Sequence, residues 1–268
     1  MKLIKAHAYG NDFVYVERTA VDARGVDPAD LARRICKRHE GVGADGLVLY
    51  AFTSAGAVMR LINADGSPSE VSGNGVRGLA AILARERNLT TADTGGPPTV
   101  LIETDAGPKA LTLLERRGAA CRFRAAMGQP TNLRRESLVV AGEPVDAIAL
   151  GMGNPQCVVL GALDHARLER LGRGLQHHEA FPEGVNFELA TVEAPDRVRI
   201  LIWERGVGPT RSSGTGSCAS AVAAAAFGGA LRDVVVEAPG GSQRVEWTPE
   251  GVYLTGWAEV LLEGEWLA

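Results

Sequence analysis

The sequence predicts an α/β protein made of two similar halves. Each half repeats one order, in which strand-like runs are followed by a polar loop, a Ser-Gly-x-Gly motif and a helix of small residues. The length of 268 residues exceeds that of a typical single-core domain, about 100–200 residues, so it accommodates two. We expect one half at 1–117 and the other at 118–262, with 263–268 returning to pack on the first.

The first half begins with short strands around Gly10-Asn11-Asp12. A helix should start at Asp27-Pro28, since Asp caps helices and Pro favours their first position, and should end near Lys37. Apolar runs predict strands at 47–52 and 58–62. After a polar loop, apolar residues at helical spacing predict a second helix. These residues are Val76, Leu79, Ala80 and Leu83.

The second half follows two more predicted strands and a turn-rich segment, Glu115-Arg116-Arg117-Gly118, that marks the boundary. Beyond this segment the order of the first half recurs. The predicted elements are a helix near 164–171, strands at 185–192 and 198–203, an Ala-rich helix ending near 227 and a strand meander over 234–262.

Charge and hydropathy argue against two classes of partner. The net charge is −4 and the basic residues are scattered rather than arranged in a stripe, so we expect no nucleic-acid partner. The segment 1–16 is too polar for a signal peptide, and the longest apolar run, 221–231, is too short to span a bilayer. We therefore expect a cytoplasmic protein that does not bind membranes.

The spacing of the cysteines argues against a metal site or a disulfide framework. The four cysteines lie far apart and form neither Cys-x-x-Cys nor Cys/His pairs of metal-ligand spacing. They are Cys36, Cys121, Cys157 and Cys218. We interpret them as buried thiols of the core and expect no bound metal.

Each Gly-x-Gly helix start is a candidate anion site. The first turn of a helix leaves backbone N–H groups free at the positive end of its dipole, and glycine lets an anion approach closely. One motif alone would favour a simple turn, whereas matched copies at 73–75 and 214–216 favour function. Ser72 and Ser213 precede these motifs, and both helix capping and catalysis are open for them. Superposing the halves should place these two serines on each other.

The first motif has a competing interpretation. Gly73, Gly75 and Gly78 match the Gly-x-Gly-x-x-Gly fingerprint of dinucleotide-binding oxidoreductases. That fingerprint needs a strand running directly into the turn of a βαβ unit, whereas the polar segment 63–71 intervenes here. The second motif also lacks the third glycine, so we disfavour a dinucleotide.

Further polar residues lie beside the predicted helix starts. Glu204 and Arg205 end an apolar strand before the second motif, and an arginine there suits a carboxylate. Four asparagines stand in turn-like settings, where turn formation explains any single one, so that only their joint pattern is informative. They are Asn11, Asn63, Asn154 and Asn186.

Six separated segments resemble the motifs of diaminopimelate epimerases, in order and over nearly the whole chain. They are Gly10-Asn11-Asp12-Phe13, Asn63-Ala64-Asp65-Gly66-Ser67, Gly73-Asn74-Gly75, Gly153-Asn154-Pro155, Asn186-Phe187 and Glu204-Arg205-Gly206-x-Gly208. The resemblance implies an α/β (α+β) fold of two pseudo-symmetric halves, each a mainly antiparallel sheet wrapped around a central helix. It also implies an active site between the halves and a homodimer.

The resemblance further implies a cofactor-independent isomerase. Such enzymes interconvert the L,L and meso forms of diaminopimelate, on the route to lysine and cell-wall peptide, without pyridoxal phosphate or metal. Two side chains on opposite faces of the α-carbon transfer the proton, and here these positions hold Ser72 and Ser213. The reacting carboxylate would be held by Gly73, Asn74, Gly214 and Thr215. The amino groups and the distal carboxylate would be bound by Asn11, Asn63, Asn154, Asn186, Glu204 and Arg205.

The chain departs from the family at both reacting positions. The family has a cysteine where Ser72 and Ser213 stand, and commonly a histidine where Gln156 stands. Three explanations are open: a natural serine variant with slow or altered proton transfer, a relative acting on another small amino acid, or an engineered replacement. Gln156 favours a natural variant, because replacing the two cysteines by design would give no reason to change this position as well. A related racemase or lyase and a catalytically silent amino-acid binding protein are the alternative functions.

Overall fold

The computed structural model describes residues 1–69, 72–91 and 96–267 and has the predicted α/β fold, with many strands and few helices. The helices are α1 Arg18–Asp22, α2 Pro28–Ile35, α3 Gly73–Glu86, α4 His165–Leu175 and α5 Gly214–Phe227. The first strands are β1 Lys2–Ala8, β2 Asn11–Glu17, β3 Gly46–Phe52, β4 Gly56–Asn63, β5 Pro68–Ser69, β6 Thr99–Glu103, β7 Lys109–Arg117 and β8 Ala120–Gly128. The remaining strands are β9 Thr131–Val140, β10 Glu143–Gly151, β11 Pro155–Leu160, β12 Asn186–Ala194, β13 Arg197–Glu204, β14 Gly208–Thr210, β15 Asp233–Ala238, β16 Gly241–Thr248 and β17 Gly251–Glu265.

The chain divides into two compact units at places that differ from those expected from the sequence. The first unit is Met1–Ala125 with Gly256–Ala268, and the second is Ala126–Thr255. The turn-rich segment at residue 117, where we placed the boundary, forms the β7–β8 hairpin turn, with Gly118 at φ +60°. Turn residues there reverse a strand within one unit. The return to the first unit begins in β17, which pairs with β1; residue 268 of the predicted returning segment lies outside the described residues.

Helix α3 is the centre of the first unit. Its residues 74–84 are all buried, as expected for a helix enclosed by a sheet. Strand β2 pairs in parallel with β3, β3 pairs antiparallel with β4, and β6 to β8 form an antiparallel meander. One face of the sheet packs on α3 through residues such as Tyr15 and Val48, while Leu31 and Ile35 of α2 cover the opposite face. The sheet thus places the N-terminus of α3 beside the start of β2 and on the sheet edge where β4 ends.

The second unit repeats this arrangement around α5. Strand β11 pairs in parallel with β12 and β12 antiparallel with β13, as β2, β3 and β4 do, and β15 to β17 form the predicted meander. Residues 216–224 of α5 are buried against one face of the sheet. Leu168 and Leu171 of α4 cover the opposite face. The two central helices each span 14 residues, and each begins directly after its Ser-Gly-x-Gly serine, as predicted.

Three short elements carry too little sequence signal to be predicted. Helix α1 spans five residues, and its N-cap, Glu17, makes no side-chain capping bond, so no capping signal precedes it. Strands β5 and β14 have two and three residues and pair back on β4 and β13. They lie in the polar loops that precede α3 and α5. A strand that turns back there differs from the direct strand-to-helix turn of a dinucleotide site.

Gly78 has a packing role. A methyl group built on Gly78 would collide with the hydroxyl oxygen of Tyr15, which donates a 2.9 Å hydrogen bond to the carbonyl oxygen of Gly75. Glycine at position 78 therefore lets α3 approach β2 closely. This contact accounts for the third glycine of the apparent dinucleotide fingerprint.

We expect Gly78→Ala to destabilise the protein by about 1–3 kcal/mol, because the added methyl overpacks the contact with Tyr15. In an unconstrained helix interior the same change would stabilise by up to about 1 kcal/mol. Urea unfolding measures the difference. Adding Tyr15→Phe should recover part of the lost stability, since it removes the colliding hydroxyl. A Gly78→Ala protein as stable as the parent would contradict this role.

Candidate active site

Ser72 and Ser213 cap the two central helices in the same way. Their backbones are extended, at φ −127° and ψ 124° for Ser72 and φ −139° and ψ 127° for Ser213. Ser72 Oγ accepts a 3.2 Å hydrogen bond from the N–H of Gly75, and Ser213 Oγ accepts one of 3.1 Å from that of Gly216. Capping is therefore observed for both serines. It uses Oγ as an acceptor and leaves the hydroxyl proton available for transfer.

The capping bonds leave the first two N–H groups of each helix pointing out of its N-terminus. Backbone bonds to the serine carbonyls use the fourth N–H group, and the serine hydroxyls use the third. The N–H groups that neither bond uses belong to Gly73 and Asn74 in α3 and to Gly214 and Thr215 in α5. A methyl group built on Gly73 would have no neighbour within 4 Å among the described residues, so an anion has open access to this terminus.

A chain of hydrogen bonds holds Asn11 and Asn74 of the first unit. Arg77 donates to Asn74 Oδ1 at 3.0 Å, Asn74 donates to Asn11 Oδ1 at 3.2 Å, and Asn11 donates to Asp45 Oδ2 at 2.7 Å. The structure thus brings Asn11 and Asn74 together beside the start of α3. Because both amide oxygens accept bonds from protein groups, the two amides have fixed orientations.

Charged residues contact the acidic end of this hydrogen-bond chain. Arg38 donates to Asp45 at 2.7 Å and to Asp12 at 3.0 Å, and Lys5 lies 2.9 Å from Asp12. Burial raises the pKa of Asp12, but the hydrogen bonds from Arg38 and Lys5 outweigh it and hold that pKa below its usual value. Arg38 and Asp45 were not predicted as site residues. They belong to no recognised motif, and only the folding of the chain brings them close to Asn11.

Asn63 is held separately from this chain. It ends β4, and its side-chain amide donates a 3.0 Å bond to Ser67 Oγ, which in turn donates to Asp65 at 2.6 Å. These bonds close the turn between β4 and β5. Asn63 is thus a turn residue in the structure, half-buried at the end of the strand.

In the second unit, Asn186 joins two of the predicted segments. Its Oδ1 accepts a 3.0 Å bond from the backbone N–H of Arg205, and its amide donates a 3.2 Å bond to the carbonyl of Pro155. Gln156 donates to Asn154 Oδ1 at 2.5 Å, and its own Oε1 is buried without a partner among the described residues. Asn154, Asn186 and Arg205 therefore lie around the adjoining ends of β11, β12 and β13.

Arg205 is exposed and partly oriented by neighbouring backbone. Its guanidinium donates a 3.2 Å bond to the carbonyl of Glu183. The stem of Arg205 passes Gly184, where an added methyl would lie 3.1 Å from Arg205 Cδ. Glu204, beside Arg205 at the end of β13, is half-buried. A cavity of about 660 Å³ in this unit is lined by residues that include Asn154, Gln156 and Glu183.

A buried carboxyl that was not among the predicted site residues lies under the start of α5. Glu188 on β12 is 0% exposed, and burial together with the nearby Glu204 raises its pKa well above the usual value. A methyl group built on Gly216 would collide with Glu188 Oε1. The sequence signal that could have identified Glu188 is its position as an acidic residue inside an apolar strand.

The structure also places the cysteines. All four cysteines are buried, as predicted. Within the described part of the chain, no group of three or more His, Cys, Asp or Glu side chains is placed to hold a metal ion. No helix in that part is long and apolar enough to cross a membrane.

Comparison with known proteins identifies the family. The family described as diaminopimelate epimerase matches residues 3–133 and 148–261. Diaminopimelate epimerase of Desulforudis audaxviator is 40% identical, over 100% of this chain and 99% of that protein. The enzyme of Desulfovibrio desulfuricans is 37% identical, over 99% of this chain and 98% of its own length.

A solved structure shows the same fold at low sequence identity. A Pseudomonas aeruginosa protein described as a predicted epimerase superposes with a TM-score of 0.71 at 14% identity, over 100% of this chain and 99% of its own. The resemblance inferred from the six motifs is therefore confirmed by whole-length relatives and by a matching fold. This chain belongs to the diaminopimelate epimerase family and is an isomerase.

Proposed function

We propose that this protein interconverts L,L- and meso-diaminopimelate by cofactor-independent proton transfer at the α-carbon. The observation that carries the proposal is the matched pair of helix caps, each with a serine hydroxyl in front of two unused backbone N–H groups. Membership of the family supports the substrate. In this proposal Ser72 and Ser213 take the two positions that flank the reacting carbon.

The two helix starts supply the electrostatic part of the reaction. Removing the α-proton pushes negative charge into the neighbouring carboxylate. The N–H groups of Gly73, Asn74, Gly214 and Thr215 at the positive helix ends stabilise that charge, because preorganised donors need no reorganisation as it develops. One serine releases its hydroxyl proton to solvent and accepts the α-proton, while the other donates its hydroxyl proton to the opposite face, which inverts the carbon.

The remaining predicted residues recognise the rest of the substrate. Arg205 presents five donors in a fixed fork and suits the distal carboxylate. The oxygens of Asn154 and Asn186 and the carboxylate of Glu204 suit the ammonium groups. Asn11 of the first unit also binds the substrate in this proposal, and its bonds with Asn74 and Asp45 fix its side-chain amide. Asn63, at the end of β4, also binds the substrate in this proposal.

Exchange of the α-proton with deuterated solvent tests the proposal. Diaminopimelate should acquire deuterium at the α-carbon, measured by NMR, and the L,L isomer should convert to the meso isomer by chromatography. Ser72→Ala with Ser213→Ala should abolish both signals, and Ser137→Ala on β9 serves as the matched control. Exchange in another amino acid alone would favour a related racemase. Binding without exchange of any amino acid would favour a silent binding protein.

A further inference from the structure

The carboxyl group of Glu188 is the most unusual buried group of the second unit. Its side chain is fully buried, and neither carboxyl oxygen has a hydrogen-bond partner among the described residues. A buried, unpaired carboxyl costs free energy, since it loses water without gaining a partner. Such a group in a folded protein calls for an explanation, and a catalytic role is one.

The pairing of the strands places this carboxyl on the sheet face that packs against α5. Glu188 pairs with Val158 on β11 and with Ile202 on β13, and both of these neighbours belong to the core around α5. Its chain neighbours Phe187 and Leu189 point to the opposite face, into the core around α4. The carboxyl therefore lies between the sheet and α5.

Gly216 locates the carboxyl relative to the serine. A methyl group built on Gly216 would collide with Glu188 Oε1 and would lie 3.2 Å from the Cβ of Ser213. The carboxyl and the serine thus border the same small space at the first turn of α5. Glycine at position 216 is what leaves this space open.

The first unit has an apolar residue in the matching place. Val48 pairs with Leu61, two residues before the end of β4, just as Glu188 pairs with Ile202, two residues before the end of β13. A methyl group built on Gly75, the counterpart of Gly216, would meet a Phe13 ring carbon at 3.7 Å. The matching places in the two units therefore differ: the carboxyl of Glu188 lies near Ser213, whereas apolar side chains lie near Ser72.

We propose that Glu188 is a positioning residue that acts through Ser213 as its proton partner, an inference that rests on the proposed function. When Ser213 donates its hydroxyl proton to the α-carbon, the Glu188 carboxyl gives its own proton to Ser213 Oγ and becomes a carboxylate. In the reverse direction Ser213 Oγ takes the α-proton while its hydroxyl proton passes to the Glu188 carboxylate. On the opposite face the α-proton passes to Ser72 Oγ, the hydroxyl proton of Ser72 passes to solvent water, and the Glu188 carboxylate regains a proton from solvent between turnovers. The two serines are therefore inequivalent.

The ionisable groups around Glu188 favour its neutral form at rest. Burial raises its pKa first, and the carboxylate of Glu204 on β13 raises it further. On β11, Cys157 has a raised pKa through burial and through Glu188 itself, so it stays a neutral thiol. Helix α5 contributes Cys218 as its titratable residue. A neutral carboxyl can supply the proton that Ser213 needs.

A thiol reporter tests the coupling without requiring activity. Ser213→Cys and Ser72→Cys each introduce one thiol, whose pKa is read from the pH dependence of its alkylation rate. Adding Glu188→Gln should lower the thiol pKa by about one unit in the Ser213→Cys protein. The carboxyl is neutral at rest but ionises as the pH rises toward the range in which the thiol ionises, and its carboxylate then repels the thiolate. The same addition should leave the thiol pKa unchanged in the Ser72→Cys protein. An unmoved pKa in the Ser213→Cys protein would overturn the proposal.

An activity measurement tests the proton transfer itself. In the otherwise unchanged protein, Glu188→Gln should lower deuterium exchange at the α-carbon by about 10²-fold or more and should remove one ionisation from its pH profile. Glu136→Gln is the matched control, since Glu136 lies on β9 opposite Ala147, whose side chain faces the α4 core. Glu188→Asp should recover part of the rate. Full exchange with Glu188→Gln would overturn the proposal. A parent that exchanges no diaminopimelate would instead refute the proposed function, and the thiol pKa alone would then decide the coupling.

Discussion

Ser72→Cys combined with Ser213→Cys should raise epimerisation of diaminopimelate by about 10²–10⁴-fold over the parent. An unperturbed cysteine thiol has a pKa of about 8.5, and a helix N-terminus lowers it further toward neutral pH. A serine hydroxyl is a far weaker acid, so it is a poor proton donor and is rarely available as a base. Both reacting groups would then titrate near the working pH.

Each replacement alone should help much less. A two-base reaction needs a competent donor and a competent acceptor on opposite faces at the same time. The gain should also be incomplete while Gln156 remains, because an amide cannot titrate beside the reacting group. Each cysteine replaces a serine that accepts a capping bond, so stability should fall by about 0.5–2 kcal/mol per site.

Deuterium incorporation together with conversion of the L,L to the meso isomer measures the gain. Ser137→Cys, on the exposed part of β9, controls for a thiol outside the site. Parent activity equal to that of the double-cysteine protein would mean that serine is the working base or that the chemistry lies elsewhere. Either result would contradict the proposed roles of Ser72 and Ser213.

Local signals account for the parts of the fold that could be predicted from the sequence. Asp27 caps α2 through a bond to the N–H of Asp30, and Ser72 and Ser213 cap α3 and α5. These caps act within three or four residues, so they are readable from sequence. The repeated motif order then indicated an internal duplication, because the same order of strands, polar loop, Ser-Gly-x-Gly motif and helix occurs in both halves.

Contacts between distant segments account for what was missed. Asp45 fixes Asn11 across 34 positions of the chain, and Glu188 reaches the first turn of α5 only because β12 packs under it. The domain boundary was misplaced for a similar reason. Gly118 carries an ordinary turn signal, and only the pairing of β7 with β8 shows that this turn lies inside the first unit.

Arg205→Lys should weaken diaminopimelate binding by about 10–100-fold, which corresponds to the roughly 1.5–3 kcal/mol carried by hydrogen bonds to a charged group. The guanidinium offers two parallel donors to a carboxylate, whereas an ammonium is a point charge on a flexible stem. The bond from Arg205 to the carbonyl of Glu183 and the contact with Gly184 hold this fork in place before the ligand arrives. Lysine would lose that preorganisation as well as the second donor.

Calorimetric titration of diaminopimelate measures the affinity. Arg170→Lys is the matched control, since Arg170 lies on the exposed face of α4 and pairs with Glu143. A surface pair of this kind contributes little, so the control should bind as the parent does. The analogue that lacks the distal carboxylate should bind the parent weakly and should be insensitive to Arg205→Lys. Unchanged affinity for diaminopimelate in the Arg205→Lys protein would remove Arg205 from the site and assign its guanidinium to the loop contact with Glu183 alone.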